Sequence, residues 1–182
     1  MYKAIDVANY MIYLTSSCFD DVSNMKLNKL LYFAQGHYLQ KNDTVLFEEP
    51  LEAWKRGPIV NTVYQMYKKY EDSSIKVYDA DKLKIISECD RDFLLEIARV
   101  YGRYNAVELS NMTHISKGPW HNSYRKDKLH VIIPNELIKE YFVSNINELN
   151  KPEIYFSEED YINRSDENGT LVLPKEWDDE TI

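Results

Sequence analysis

Apolar residues recur at spacings of three and four from the start of the chain. Ala4, Val7, Ala8, Met11, Leu14 and Cys18 fall on one helical face before Asp20, Asp21 and Ser23 interrupt the pattern. It resumes at Leu27, Leu30, Leu31, Ala34 and Tyr38, which predicts a helix over Met25–Gln40 with Lys26, Lys29 and Gln40 turned to water. The period then changes. Val45–Phe47 and Leu51–Trp54 are short, partly alternating and flanked by Pro50 and Gly57, so they read as short strands or extended loop. Pro58 suits the first position of a helix, where its missing N–H costs nothing, and Ile59, Val63, Met66, Tyr67 and Tyr70 would form that helix's apolar face.

Glu71–Lys84 is polar and reads as a loop with one short extended piece. Asp90 is placed to cap a helix that buries Phe93, Leu94, Ile97, Ala98 and Tyr101 and ends at Gly102. Asn105 and Glu108 have the spacing of a capping box and open a short helix through Leu109 and Met112. Gly118-Pro119 breaks the chain, and Trp120–Arg125 predicts a helical turn. Val131–Ile133 stops at Pro134 and is placed to pair with the Leu51–Trp54 region, while Leu137, Ile138, Tyr141 and Phe142 mark a further helix. The expected fold class is mainly α. One compact helical domain over residues 1–150 carries a small antiparallel strand element, and an acidic C-terminal extension occupies residues 151–182.

Charge sharpens that division. Lys151–Ile182 holds ten acidic and three basic residues, net −7, which leaves the preceding body with nineteen bases and twenty acids, net −1. The body has no basic stripe of the kind a direct nucleic-acid binder needs, and an acidic tail repels phosphate while attracting a basic protein surface. The tail also carries Ile154-Tyr155-Phe156, Leu171-Val172-Leu173 and Trp177, with an Asn-Gly turn signal at Asn168-Gly169. A hairpin or a segment that orders on a partner both fit. No apolar run reaches the ~20 residues of a membrane span. The amphipathic N-terminus lacks an export pattern. Cys18 and Cys89 belong to no C-x-x-C pair and read as buried free thiols. The expectation is a cytoplasmic protein without a membrane partner.

Three linked blocks are distinctive: MKLNKLLYFAQGHYL (25–39), LFEEPLEAWKRGPIVNTVYQMYKKY (46–70) and ELSNMTHISKGPWHNSY (108–124). In order and approximate spacing they closely resemble the Panacea domain, also called phage-associated or GepA-like, over about residues 1–142. The third block usually carries an acid between His and Gly-Pro-Trp; here Ile115-Ser116-Lys117 stands there. The resemblance implies a mostly helical domain with a small strand element. It also implies an antitoxin, encoded beside an unrelated toxin, that inactivates the toxin by binding. Some members of the family are implicated as adaptors that deliver a toxin to a host protease.

The candidate binding residues fall in three places. Trp54, Arg56, Gly57 and Pro58 join a tight turn to a large aromatic surface, which fits either a structural junction or a recognition loop held by rigid elements. Tyr64 follows on the next predicted helix, as one of several tyrosines suited to a contact surface. His114, Pro119 and Trp120 form the second cluster, and Tyr155, Phe156 and Trp177 of the tail the third. His114 and His121 lack zinc-like spacing with other ligands and read as hydrogen-bonded structural histidines. No metal or cofactor is expected. There is no nucleophile elbow and no Gly-rich phosphate loop. The expected function is therefore neutralisation of a cognate toxin by protein–protein contact. A proteolytic adaptor is the alternative, and a hydrolase built around His114–Trp120 a more distant one.

Overall fold

A computed structural model describes residues 1–18, 22–145, 164–165 and 171–172. Its elements are α1 (Ala4–Cys18), α2 (Asn24–Asn42), β1 (Glu52–Trp54), β2 (Gly57–Ile59), α3 (Asn61–Tyr67), α4 (Glu88–Tyr101), α5 (Ala106–Thr113), α6 (Pro119–Ser123), α7 (Asn135–Ser144), β3 (Arg164–Ser165) and β4 (Leu171–Val172). The chain divides into two compact units, Met1–Lys151 and Pro152–Ile182. The first is mainly helical, with a small antiparallel strand element.

Helix α2 is the axis of the first unit and packs against α1, α3, α4, α5, α7 and β2. Its apolar face lies where the periodicity puts it, with Leu27, Leu30, Leu31 and Ala34 fully buried. Its polar positions do not. Lys26 and Lys29, expected in water, are buried beside Asn24, Asn28 and Gln35. Burying such groups is tolerable only when they are hydrogen-bonded. Here the partners are mostly main-chain atoms from distant segments. Lys26 donates to the oxygen of Gly102, and Gln35 accepts from the amides of Leu46 and Phe47. A helix enclosed on all sides needs no polar face toward solvent.

Close approach of α7 to α2 depends on Gly36. A Cβ there would fall inside the van der Waals envelope of the Phe142 ring. Phe142 meets Tyr32 edge-on at 5.6 Å between centroids, and Phe33 stacks on Tyr101 at 4.1 Å. Tyr101 in turn contacts His37, their OH and Nε2 lying 2.8 Å apart.

β1 and β2 form an antiparallel hairpin in which Glu52 faces Ile59, Ala53 faces Pro58 and Trp54 faces Gly57. Pro58 therefore sits inside a strand rather than opening a helix, and α3 begins at Asn61. The Ala53 amide donates to Val131, away from β2, so Pro58 opposite it occupies a position that needs no N–H toward β1. On the other side of β1, the expected partner is present. Glu52 bridges Ile132, the Ala53 amide donates to Val131, and the Ile133 amide donates to Leu51. Of the apolar face expected for α3, Ile59 and Val63 are buried but Met66 is exposed.

Elsewhere, Ser87 rather than Asp90 caps α4, and Asp90 occupies its first turn. The capping box of Asn105 and Glu108 is formed in full. The stretch expected to be loop with an extended piece contains a 3-10 helix at Ala80–Ile85. Cys89 is exposed, not buried, because it falls on the outward side of that first turn of α4; the Cys18 side chain lies outside the described residues.

In the second unit, Ser165 pairs with Leu171 and Arg164 with Val172 in an antiparallel ladder. Ile154, Tyr155, Phe156 and Trp177 lie outside the described residues.

Candidate functional site

The first two candidate clusters converge at the hairpin turn. Trp54-Lys55-Arg56-Gly57 reverses the chain, and Gly57 adopts φ 101°, a conformation that favours glycine. A Cβ at Gly57 would lie 2.7 Å from Thr113 Oγ1 and 2.9 Å from Lys29 Cε. The turn is thus clamped between α5 and α2, and glycine is required on both counts.

From below, α2 holds the strand that leaves the turn. Lys29 Nζ donates to the Pro58 oxygen at 3.0 Å, and the Val60 amide donates to Asn28 Oδ1 at 2.9 Å. Asn24 Nδ2 reaches the Tyr64 oxygen at 3.1 Å, fixing α3. Burial, together with the nearby Arg56 cation, lowers the Lys29 pKa to about 7. Lys29 is fully enclosed at 0 % exposure.

From the side, α5 and α6 hold the turn itself. Ser110 Oγ donates to the Arg56 oxygen at 3.0 Å. His114 Nδ1 lies 2.6 Å from the Ser110 oxygen, and its Nε2 lies 3.5 Å from the Lys55 oxygen. The His114 ring packs against Trp120 at 3.8 Å between centroids. Trp120 Nε1 donates to the Trp54 oxygen at 2.7 Å, and Tyr124 stacks on the same indole at 4.9 Å. Pro119 occupies the first turn of α6 and is buried.

The outer side of the small sheet completes the arrangement. Alternation along the strands places Glu52 and Trp54 on one face with Ile59 and Ile132, while Leu51, Ala53 and Ile133 face the core. Glu52 Oε2 accepts from Trp54 Nε1 at 2.7 Å and from His130 Nδ1 at 2.8 Å. The Trp54 ring is flanked by Tyr64 at 5.1 Å and His130 at 5.6 Å. The result is a rigid aromatic surface over a buried carboxylate. Trp54, Arg56, Tyr64 and His114 stay partly accessible, whereas Gly57, Pro58, Pro119 and Trp120 are buried beneath them.

Trp54, Arg56, Gly57, Pro58, Tyr64, His114, Pro119 and Trp120 thus belong to one assembly. Sequence reasoning missed Lys29, Glu52, Ser110, Thr113 and His130. For Lys29 a signal existed. Stepping along that helical face leads from Lys26 and Lys29 to Phe33 and Gly36, a composition unlike a solvent face. Among the described residues, no group of three or more His, Cys, Asp or Glu is placed to hold a metal ion, and no helix is long and apolar enough to cross a membrane.

The model of the family "Antitoxin SocA-like, Panacea domain" matches residues 27–121, which contain Trp54, Arg56, Gly57, Pro58, Tyr64, His114, Pro119 and Trp120. The chain belongs to that family. It is 35% identical over 124 residues to Antitoxin SocA of Caulobacter vibrioides (strain NA1000 / CB15N). That alignment covers 63% of this chain and 66% of the relative, just under two thirds of its length. No solved structure matches the chain.

Proposed function

We propose that this Panacea-domain protein is an antitoxin that neutralises a protein toxin by direct binding, the toxin being the product of an adjacent gene. Membership of the SocA-like family over residues 27–121 carries the reading, and the curated relative is itself named an antitoxin. The site geometry supports it physically. Its buried polar groups are spent on main-chain oxygens and amides, as with Lys29, Ser110 and Trp120. Such bonds fix a surface in place, and a preorganised surface loses less entropy on association. The partner surface is built on Trp54, Arg56, Tyr64 and His114. The tail, including Tyr155, Phe156 and Trp177, contributes to partner choice through its net charge of −7.

Co-expression tests this. The neighbouring gene is induced alone and together with this chain, and growth is followed. Toxicity relieved by co-expression is expected. A neighbour that is harmless alone, or equally toxic with this chain present, overturns the reading. The partner's half-life separates the mechanisms: occlusion leaves it unchanged, whereas an adaptor shortens it in a protease-dependent way.

A further inference from the structure

Among the described residues, Val131–Ile133 pairs with β1 on one side only. In an antiparallel ladder, main-chain groups of successive residues point alternately toward and away from the neighbour. The Val131 oxygen and Ile133 amide point to β1, where they bond Ala53 and Leu51. The N–H and C=O of Ile132 therefore point the other way, off the edge of the sheet. This edge is bounded by His130, whose φ of 55° lies in the left-handed region, and by Pro134. Exposed apolar side chains flank it: Leu129 is 77 % and Ile132 57 % exposed. Immediately before it, Arg125-Lys126-Asp127-Lys128 places three cations against one anion in a chain of net charge −8. All four are exposed. His130 is held by Glu52 on the outer face of the sheet, which fixes where this basic loop joins the edge.

We infer that the Val131–Ile133 edge is the docking strand for an acidic, extended segment of the protein partner. The segment adds alongside Ile132 by main-chain hydrogen bonds, covers Leu129 and Ile132, and sets its carboxylates against Lys126 and Lys128. This rests on the proposed antitoxin role for the identity of the partner, but the surface itself does not. The edge offers one outward N–H and C=O pair, so main-chain bonding alone supplies little, and side-chain contacts decide selectivity. Two exposed aliphatic residues beside the cations favour a protein segment over nucleic acid, whose backbone contacts call for cations and polar groups. A short edge with adjacent lysines also resists pairing with a second copy of itself.

The test uses the full chain and an end-capped, fluorescent peptide alternating glutamate with valine. Saturable binding is expected, weakening at least tenfold between low and high salt. Slower hydrogen exchange at the Ile132 amide should accompany it. Ile132→Pro removes an N–H that has no main-chain partner among the described residues, and K126E/K128E reverses two exposed charges; each is expected to weaken binding at least tenfold. A lysine–valine peptide and single-stranded DNA are expected not to compete. Absence of binding, binding indifferent to both variants, stronger binding of DNA, or dimerisation through the edge would each overturn the inference. If Ile132→Pro lowers thermal stability, K126E/K128E decides alone. The same variants in the growth assay keep the two ideas apart. A wild type that fails to rescue growth refutes the antitoxin role only, and peptide results refute the docking strand only.

Discussion

Trp120 donates its indole N–H to the main-chain oxygen of Trp54 across 2.7 Å, linking α6 to the hairpin turn 66 residues earlier. Two sequence motifs that look separate are therefore one structural unit. The bond is directional and stands where the chain reverses, so it sets the height of the turn relative to α5. Phenylalanine at 120 keeps most of the ring contact but leaves the Trp54 oxygen without this donor. Trp120→Phe is expected to destabilise the fold by about 1–3 kcal/mol, and Trp120→Ala by about 3–5 kcal/mol. Chemical denaturation measures both. A Trp120→Phe protein as stable as wild type would show that the bond does not hold the turn.

Gly36 and Phe142 give a second prediction with a sign opposite to ordinary helix propensity. Gly→Ala inside a helix normally stabilises by about 0.5–1 kcal/mol. Here the added methyl meets the Phe142 ring, so Gly36→Ala is expected to destabilise by about 1–3 kcal/mol through overpacking. The double variant with Phe142→Ala should cost less than the sum of the two single changes. A strictly additive cycle in denaturant melts would contradict the contact.

These two contacts also show what can be read from the chain. Apolar periodicity locates α2 and its buried leucines, because burial of an apolar stripe is written in the spacing itself. The pairing of Val131–Ile133 with β1 was legible for a similar reason: both are short apolar runs with sharp ends. The polar side of α2 was not. Lys29 and Asn28 are enclosed because Pro58 and Val60 present main-chain groups to them, and backbone partners leave no residue-type signature. Pro58 misled in the same way, since its missing N–H fits an unpaired strand position as well as the start of a helix. Ser87 and Asp90 are three apart and both cap-forming types; the structure puts the serine at the cap with Asp90 accepting from its hydroxyl.

Buried Lys29 predicts a stability profile above neutrality. The unfolded chain holds this proton up to about the ordinary value of 10.5, whereas burial and Arg56 bring the folded value to about 7. Between those limits the unfolded state binds the additional proton, so stability rises with pH, by at most about 1.4 kcal/mol per unit. Tyr32 and Tyr101 act oppositely above about pH 10. Burial raises both, so the folded chain keeps protons that the unfolded chain loses. A rise from pH 7 followed by a fall above 10 is expected in urea melts. Lys29→Met should flatten the rise, and an identical slope in that variant would assign it elsewhere.

His37 predicts the acid side. Burial lowers its pKa to about 4 from an ordinary 6.5. The folded chain keeps the imidazole neutral, and Tyr101 OH is 2.8 Å from its Nε2. Below 6.5 the unfolded chain takes up a proton that the folded chain refuses, so stability falls as pH drops toward 4. His37→Gln should reduce that loss between pH 6.5 and 4, measured by denaturation at half-unit steps. An unchanged acid limb would exclude His37 as its source.

The central claim is neutralisation by direct contact, and a titration of purified toxin with the purified full-length chain tests it most directly. The proposed toxin is held at fixed concentration while its activity and its complex with this chain are followed together, with no protease present. The account predicts a saturable complex and loss of toxin activity in parallel, complete at a simple molar ratio. Toxin activity that persists at saturation, or falls only when a protease is added, would contradict it.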